Sequence, residues 1–174
     1  MKAITMVALL AVTSPVIAQT QKNTVITAEQ SAGSALLSKQ FEESKGKLKL
    51  PIDKGVLYDG TESPNGRNPR KIDGASVNAT TNGTVHSVFE GNVESVFKVN
   101  ESDIIVILRH GKYFTVYSGF ATTAVTKGQH VSAGETLGTI AKNEKGELAL
   151  LFEIWKAEAD KTRERLSSDE WLKS

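Results

Sequence analysis

The sequence predicts a mainly β domain built as a compact antiparallel sandwich or barrel-like sheet system, and three observations carry that expectation. Beyond Gly74 the chain consists of short runs rich in Val, Ile, Phe, Tyr and Thr, bounded by Gly, Asn or Lys-Gly pairs. These runs follow one another too closely for crossover helices, which leaves hairpin connections and antiparallel pairing. One run, IIVIL at 104 to 108, lacks polar alternation, as expected of a central strand covered on both faces.

In chain order, GTVHSVF leads through Glu90-Gly91-Asn92 into NVESVFKV, followed by DIIVILRHG, KYFTVYSG, KGQHVSAGE, TLGTIA and ELALLFEIW. Within NVESVFKV, Val93, Ser95, Phe97 and Val99 alternate with Glu94, Val96 and Lys98, which predicts one shared face for the first four. Residues 58 to 74 are dense in Gly, Pro, Asn and Asp and read as a long irregular loop.

Upstream of the β-rich region the composition changes. The first eighteen residues have a basic start, the short apolar run ITMVALLAV and a small-residue exit, the pattern of a secretory signal peptide cleaved after Ala18. The run from Ile4 to Val12 covers about half of the roughly 20 apolar residues that span a bilayer. The expected mature protein is therefore exported, to the periplasm or another extracellular cell-wall space, without a stable membrane anchor. Residues 19 to 34 read as a linker. A helix is expected between Thr27 and Lys45, with Thr27 as cap, Gln30 three residues on, and Ala35, Leu36 and Phe41 sharing part of a face. The expected layout is a signal peptide at 1 to 18, a linker with a short helix at 19 to 47, and a β-domain at 48 to 174.

Lys plus Arg total 21 against 20 for Asp plus Glu, so no net field draws this chain to nucleic acid or an anionic membrane. The absence of cysteine removes disulfides, thiolate metal sites and thiol nucleophiles. The three histidines, His86, His110 and His130, are far apart in sequence and read best as independent structural or surface residues. Ser118 precedes Gly119 without the G-x-S-x-G elbow. Glu42/Glu43 and Asp169/Glu170 are adjacent pairs of the kind found on solvated faces, and no phosphate-binding glycine loop occurs. Trp155 and Trp171 read as core or domain-edge anchors ahead of a sugar-stacking platform.

The stretches HGKYFTVYSGF, KGQHVSAGETLG and LALLFEIW, in this order and spacing, resemble the C-terminal part of the LytM or lysostaphin-type zinc endopeptidase domain, and more specifically of EnvC-like murein hydrolase activators. FEESKGKLKLPIDKGVL and SSDEWLKS resemble the leading and terminal segments of that activator group, so the likeness covers roughly residues 41 to 172. The resemblance implies a compact antiparallel fold with a groove over one sheet. In active members a His, an Asp four positions later and a His-x-His pair hold zinc and supply catalysis, and another His follows the Thr-x-Tyr strand. Those positions fall here on Ile72, Ser76, Ala149, Leu151 and Gly119, none of which carries zinc chemistry. No histidine precedes His86 and none follows His130, so a shifted alignment does not restore the set.

The function implied is a non-catalytic pseudoenzyme that needs no cofactor. It would activate or scaffold a peptidoglycan amidase or another cell-wall hydrolase, with Ile72, Ser76, Gly119, Ala149 and Leu151 lining the degenerate groove and Arg109, Tyr113 and Tyr117 beside it. The alternatives are direct binding of peptidoglycan through the same groove and, more remotely, an endopeptidase with relocated ligands. One departure from the activator group stands out: the segment before the β-domain is short and carries no sustained heptads.

Overall fold

The computed structural model describes residues 15–58, 75–79, 83–100, 103–142, 146, 148–160 and 162–173. The chain divides into two units, Met1–Gly33 and Ser34–Ser174. In the first unit the described residues are helical and belong to α1 (Pro15–Glu43), which opens on a proline whose fixed φ suits a first helical position. The stretch expected as a linker is thus helical, and Thr27 lies inside the helix instead of capping it. Between Pro15 and Glu43 only Gly33 opposes helix formation, at a cost of about 1 kcal/mol relative to alanine. Most of the expected signal peptide lies outside the described residues, and no described helix is long and apolar enough to cross a membrane.

The second unit is β-rich, as expected, with ten strands among the described residues: β1 (Val56–Tyr58), β2 (Ala75–Asn78), β3 (Thr84–His86), β4 (Gly91–Asn100), β5 (Asp103–His110), β6 (Tyr113–Thr123), β7 (His130–Val131), β8 (Thr136–Ile140), β9 (Ala149–Ala157) and β10 (Arg163–Leu166). All pairings between them are antiparallel, in the order β1-β2-β9-β6-β5-β4-β7, with β10 added to β9 and the β3–β8 pair attached through β6. Alternate residues of the long strands fill one core: Val77, Val106, Leu108, Tyr117, Leu150, Phe152 and Ile154 pack with Val85, Leu137 and Ile140 of β3 and β8. Within IIVIL only Val106 and Leu108 are buried, so β5 has one half-covered face where two covered faces were expected.

β4 corrects a second expectation. Val93 pairs with Leu108 and Ser95 with Ile107, so Glu94 is an inserted bulge residue and the alternation reverses across it. Val93 is buried before the bulge. After it, Val96 packs on the core while Phe97 and Val99 are 52% and 59% exposed.

The boundary of the β-domain lies upstream of residue 48, because the last turns of α1 belong to its core. Phe41 is fully buried, stacked on His110 (4.7 Å between ring centroids) and on Trp171 (5.0 Å), with Phe89 edge-on at 5.3 Å. Helical spacing therefore turns Ser34, Leu37 and Ser38 inward, and leaves Ala35 and Leu36 exposed. Ser38 Oγ accepts the Lys112 N–H, and the β5–β6 turn comes so near the helix that a side chain at Gly111 would strike Ser38 and the Ser34 carbonyl. The C-terminal segment closes the same cluster: Trp171 O accepts from Gly46 and Leu48, and Lys173 N–H donates to Leu48 O.

His110 is the polar centre of this apolar cluster. The Glu90 carbonyl accepts from Nδ1–H at 2.6 Å, leaving Nε2 to accept the Thr115 hydroxyl at 2.8 Å, so the neutral ring is fully satisfied. Burial lowers its pKa to about 4.

Two outcomes are expected. Phe41→Ala should cost about 3–5 kcal/mol in urea unfolding, and a chain starting at residue 48 should lose the thermal transition that a chain starting at Ser34 retains. Since the unfolded state binds the proton of His110 more readily, the stability owed to the neutral ring is complete above about pH 6.5 and lost as pH falls toward 4. Unfolding free energy should drop by about 2 kcal/mol between pH 7 and pH 5 from this residue, a component absent in His110→Gln.

Candidate functional site

Away from the core, the half-covered face of the sheet is assembled by strand register. Ser76 of β2 pairs with Leu151 of β9, and Leu151 pairs with Ser118 of β6. The row continues through Ile105 of β5 to Phe97 of β4. One step along β9, Ala149 pairs with Asn78, and its carbonyl lies 3.1 Å from where a Cβ on Gly119 would stand. Ser76, Gly119, Ala149 and Leu151, widely separated in sequence, thus converge as half-covered neighbours on one face. Ile72 lies outside the described residues.

The backbone at this cluster is unusual. Gly119 has φ +107°, a value that L side chains rarely adopt, and it stands unpaired between Ser118, opposite Ile105, and Phe120, opposite Ile104. Here β6 stops pairing with β9 and, from Phe120 onward, pairs with β8, while the Gly119 carbonyl accepts the Ala141 N–H at 2.9 Å. Beside Ala149, Asn78 Oδ1 is buried without a hydrogen-bond partner among the described residues.

A second row lies two residues along each strand, where Glu153 pairs with Val116, Val116 with Ile107 and Ile107 with Ser95. A third row is charged and aromatic: Arg165 of β10, Trp155 of β9, Phe114 of β6 and Arg109 of β5 are successive cross-strand partners. Guanidinium groups lie over the rings, Arg163 at 4.8 Å and Arg109 at 5.8 Å from the Phe114 centroid, and Arg165 at 5.4 Å from that of Trp155. Glu153 ties this row together, accepting from Arg165 Nη1 at 2.8 Å and from Trp155 Nε1 at 3.3 Å.

Arg109 lies on this face, at the end of β5. Tyr113 and Tyr117 do not. Both are turned into the core, 2% and 0% exposed, because along β6 they alternate with Phe114, Val116 and Ser118 on the open face. The Tyr117 hydroxyl accepts the Val88 N–H at 3.1 Å, and burial, with Glu42 beside its hydroxyl, pushes the pKa of Tyr113 up to about 12. Sequence reasoning held Trp155 as a sugar-stacking candidate only behind a core or domain-edge anchor, and did not place Ser118, Ile105, Glu153 or Phe114 on this face. The alternation Ala149, Leu151, Glu153, Trp155 within LALLFEIW is the signal that places the β9 members together.

This donor set does not fit zinc. Leu151, Ala149 and Gly119 offer no side-chain donor, and the Ser76 hydroxyl is a poor substitute for a carboxylate or imidazole. The histidines lie elsewhere. His86, at the end of β3, is 3.6 Å from Asp53; His110 is in the core; His130 pairs with Asn92, the partner of Arg109, at the far end of the third row from β10. Among the described residues no three His, Cys, Asp or Glu side chains gather into a metal-binding group.

Comparisons with known proteins agree with this architecture. The pattern that defines peptidase family M23 matches residues 70–163, just over half of the chain. Among solved structures, Csd3 from Helicobacter pylori is 19% identical with a TM-score of 0.51, over 75% of this chain and 36% of that one. A chain of the SpoIIQ-SpoIIIAH pore forming complex is 16% identical with a TM-score of 0.50, over 70% and 89%. A zinc containing peptidase from Vibrio cholerae is 21% identical with a TM-score of 0.49, over 71% of this chain and 40% of that chain, so the present chain spans less than half of that relative's length. A search of curated proteins returned no match. The matched stretch contains every strand from β2 to β9, including all those that build the Ser76, Gly119 and Leu151 cluster, and the chain belongs to peptidase family M23.

Proposed function

We propose that this chain is a non-catalytic member of the family that binds a protein partner through its open sheet face, and that the partner is a peptidoglycan hydrolase, an amidase in the first instance, which it activates or scaffolds. The observation that carries the reading is the convergence of Ser76, Gly119, Ala149 and Leu151. The positions to which the LytM resemblance assigns zinc chemistry come together in space, yet they carry small and apolar side chains. Without a bound metal, water keeps its bulk pKa and the family's route to hydrolysis lacks its nucleophile.

What remains is a surface with the composition of a recognition site. Ile105, Ile107, Val116 and Leu151 give an apolar floor, and Arg109, Trp155 and Arg165, in one row with the buried Phe114, give a charged, aromatic flank. An amphipathic segment laid across it would bury its apolar side on the floor and present carboxylates to the guanidinium groups. The SpoIIQ-SpoIIIAH complex supports the idea that this fold tolerates a bound partner. The aromatic flank also favours a second reading, direct binding of the glycan or peptide of peptidoglycan, with Trp155 as a stacking surface.

Export to the periplasm or cell-wall space is part of the proposal, since the substrate polymer lies there. The purified protein should release no dye from labelled murein on its own, with or without added zinc, and should raise release by an autoinhibited amidase from the same cells. Leu151→Lys should reduce that stimulation at least about tenfold by placing an ammonium on the apolar floor, while a half-exposed position leaves the thermal transition within a few degrees of wild type. Stoichiometric zinc with chelator-sensitive cleavage would overturn the non-catalytic reading. Retention on purified sacculi without any effect on an amidase would favour the second one.

A further inference from the structure

The charged end of the open face holds a cation without an anion. Phe114 faces outward between Trp155 and Arg109, yet it is 7% exposed, with two guanidinium groups over its ring: Arg163 at 4.8 Å and Arg109 at 5.8 Å from the centroid. Arg163 and Arg165 project from the same face of β10, but their partners differ. Arg165 is taken up by Glu153, at 2.8 Å. Other carboxylates at this end are also engaged, Glu158 with Lys156 at 2.7 Å, and Asp160 with the Thr162 N–H at 2.9 Å and hydroxyl at 2.6 Å. Glu164 stands opposite Lys156, on the other face. Among the described residues no carboxylate pairs with Arg163, and the one that pairs with Arg109 is Glu94, at 4.0 Å.

Both head groups are nonetheless held in place. Arg109 Nε donates to the Gly111 carbonyl at 3.0 Å, and the Phe114 ring supports Arg163 by cation–π attraction. Stacking on an aromatic face takes water from one side of a guanidinium and leaves its in-plane N–H donors pointing outward. Such a fork matches the two oxygens of a carboxylate, and positioning in advance lowers the ordering cost of binding.

The rows alongside indicate what carries the carboxylate. Ile107 and Val116 lie two residues along β5 and β6 from Arg109 and Phe114, about 7 Å away, and the Leu151 row lies about 14 Å away. A bare phosphate polymer has no apolar groups to set on this floor, whereas a polypeptide has. A helix that runs along the strands with an apolar residue on Leu151 returns the same face seven or eight positions later, about 11–12 Å further on, and a glutamate side chain spans the rest.

We propose that Arg109 and Arg163 clamp a carboxylate of the polypeptide that occupies the open face, an acidic side chain about two helical turns from the apolar residue that covers Leu151. This rests on the reading of that face as a partner-binding site, and adds which cations read the partner and at which end its acid lies.

The test is the affinity of the purified chain for an autoinhibited amidase from the same cells, titrated at low and at high salt. Arg109→Gln and Arg163→Gln should each weaken binding about tenfold at low salt and flatten its salt dependence. Arg163→Lys should recover only part of the loss, because an ammonium keeps the charge without the planar fork. One acidic side chain of the amidase, changed to its amide, should cost as much affinity against the wild-type chain and nothing further against Arg163→Gln. Wild-type affinity in both glutamine variants, with binding lost in Leu151→Lys, overturns the clamp and leaves the open-face reading standing; a wild-type chain that binds no amidase removes both. Retention on anionic phospholipid vesicles that needs both arginines, with amidase binding unchanged in the glutamine variants, assigns the pair to phosphate and overturns the carboxylate reading. Should Arg109→Gln lose the wild-type thermal transition, the exposed Arg163 decides alone, through its Gln and Lys variants.

Discussion

The structure turns on the bend in β6 at Gly119. A strand of eleven residues serves two sets of neighbours, β5 and β9 before the bend and chiefly β8 after it, and the change of direction is concentrated in one residue at φ +107°. A residue with a Cβ could hold this conformation only with strain, and its Cβ would press on the Ala149 carbonyl. The same bend carries β6 from the open face into the β3–β8 layer, so that Phe120 closes the core while Ser118, two residues earlier, faces outward. Fold and site therefore share a hinge, and neither can be altered there without the other.

This constraint bears on the proposed non-catalytic reading. Had the side chains alone been exchanged on an unchanged backbone, reinstating histidines at the assigned positions would rebuild a ligand set. At Gly119 the backbone itself holds a glycine conformation, tied down by the Ala141 hydrogen bond and by the bulge between Ser118 and Phe120. An imidazole there would have to displace main chain. Leu151, by contrast, sits in a regular ladder between Ser76 and Ser118, and its substitution changes only what the face presents. The two positions thus differ in kind: Gly119 maintains the frame of the candidate site, and Leu151 sets its surface chemistry.

Much of this was legible in the sequence where a local rule coincides with the tertiary outcome. The strand runs from GTVHSVF to ELALLFEIW match β3 to β9 because β-branched and aromatic residues between turn formers leave few alternatives. The cluster of Ser76, Gly119, Ala149 and Leu151 was reached by resemblance, since nothing in a linear pattern says that β2, β6 and β9 lie side by side. Three features were misread for identifiable reasons. Tyr113 and Tyr117 were set beside the groove although their alternation with Phe114 and Val116 puts them in the core. β4 was given one apolar face because a single inserted residue, Glu94, reverses parity without a glycine or proline to announce it. The domain boundary was put at 48 because Phe41 stands alone among polar residues, and only its stacking on His110 and Trp171 reveals that the helix end belongs to the core.

The bulge at Glu94 joins the open face to the edge of the sheet. Had the alternation continued unbroken from Val93, Phe97 and Val99 would face the core, and the smaller Val96, flanked by Glu94 and Lys98, would take the place of Phe97 on the floor. Because parity reverses, Phe97 extends the row of Leu151, Ser118 and Ile105 to β4. A flat apolar floor is not a closed pocket for a small ligand, and under the proposed function its complement is a polypeptide that covers side chains on the face.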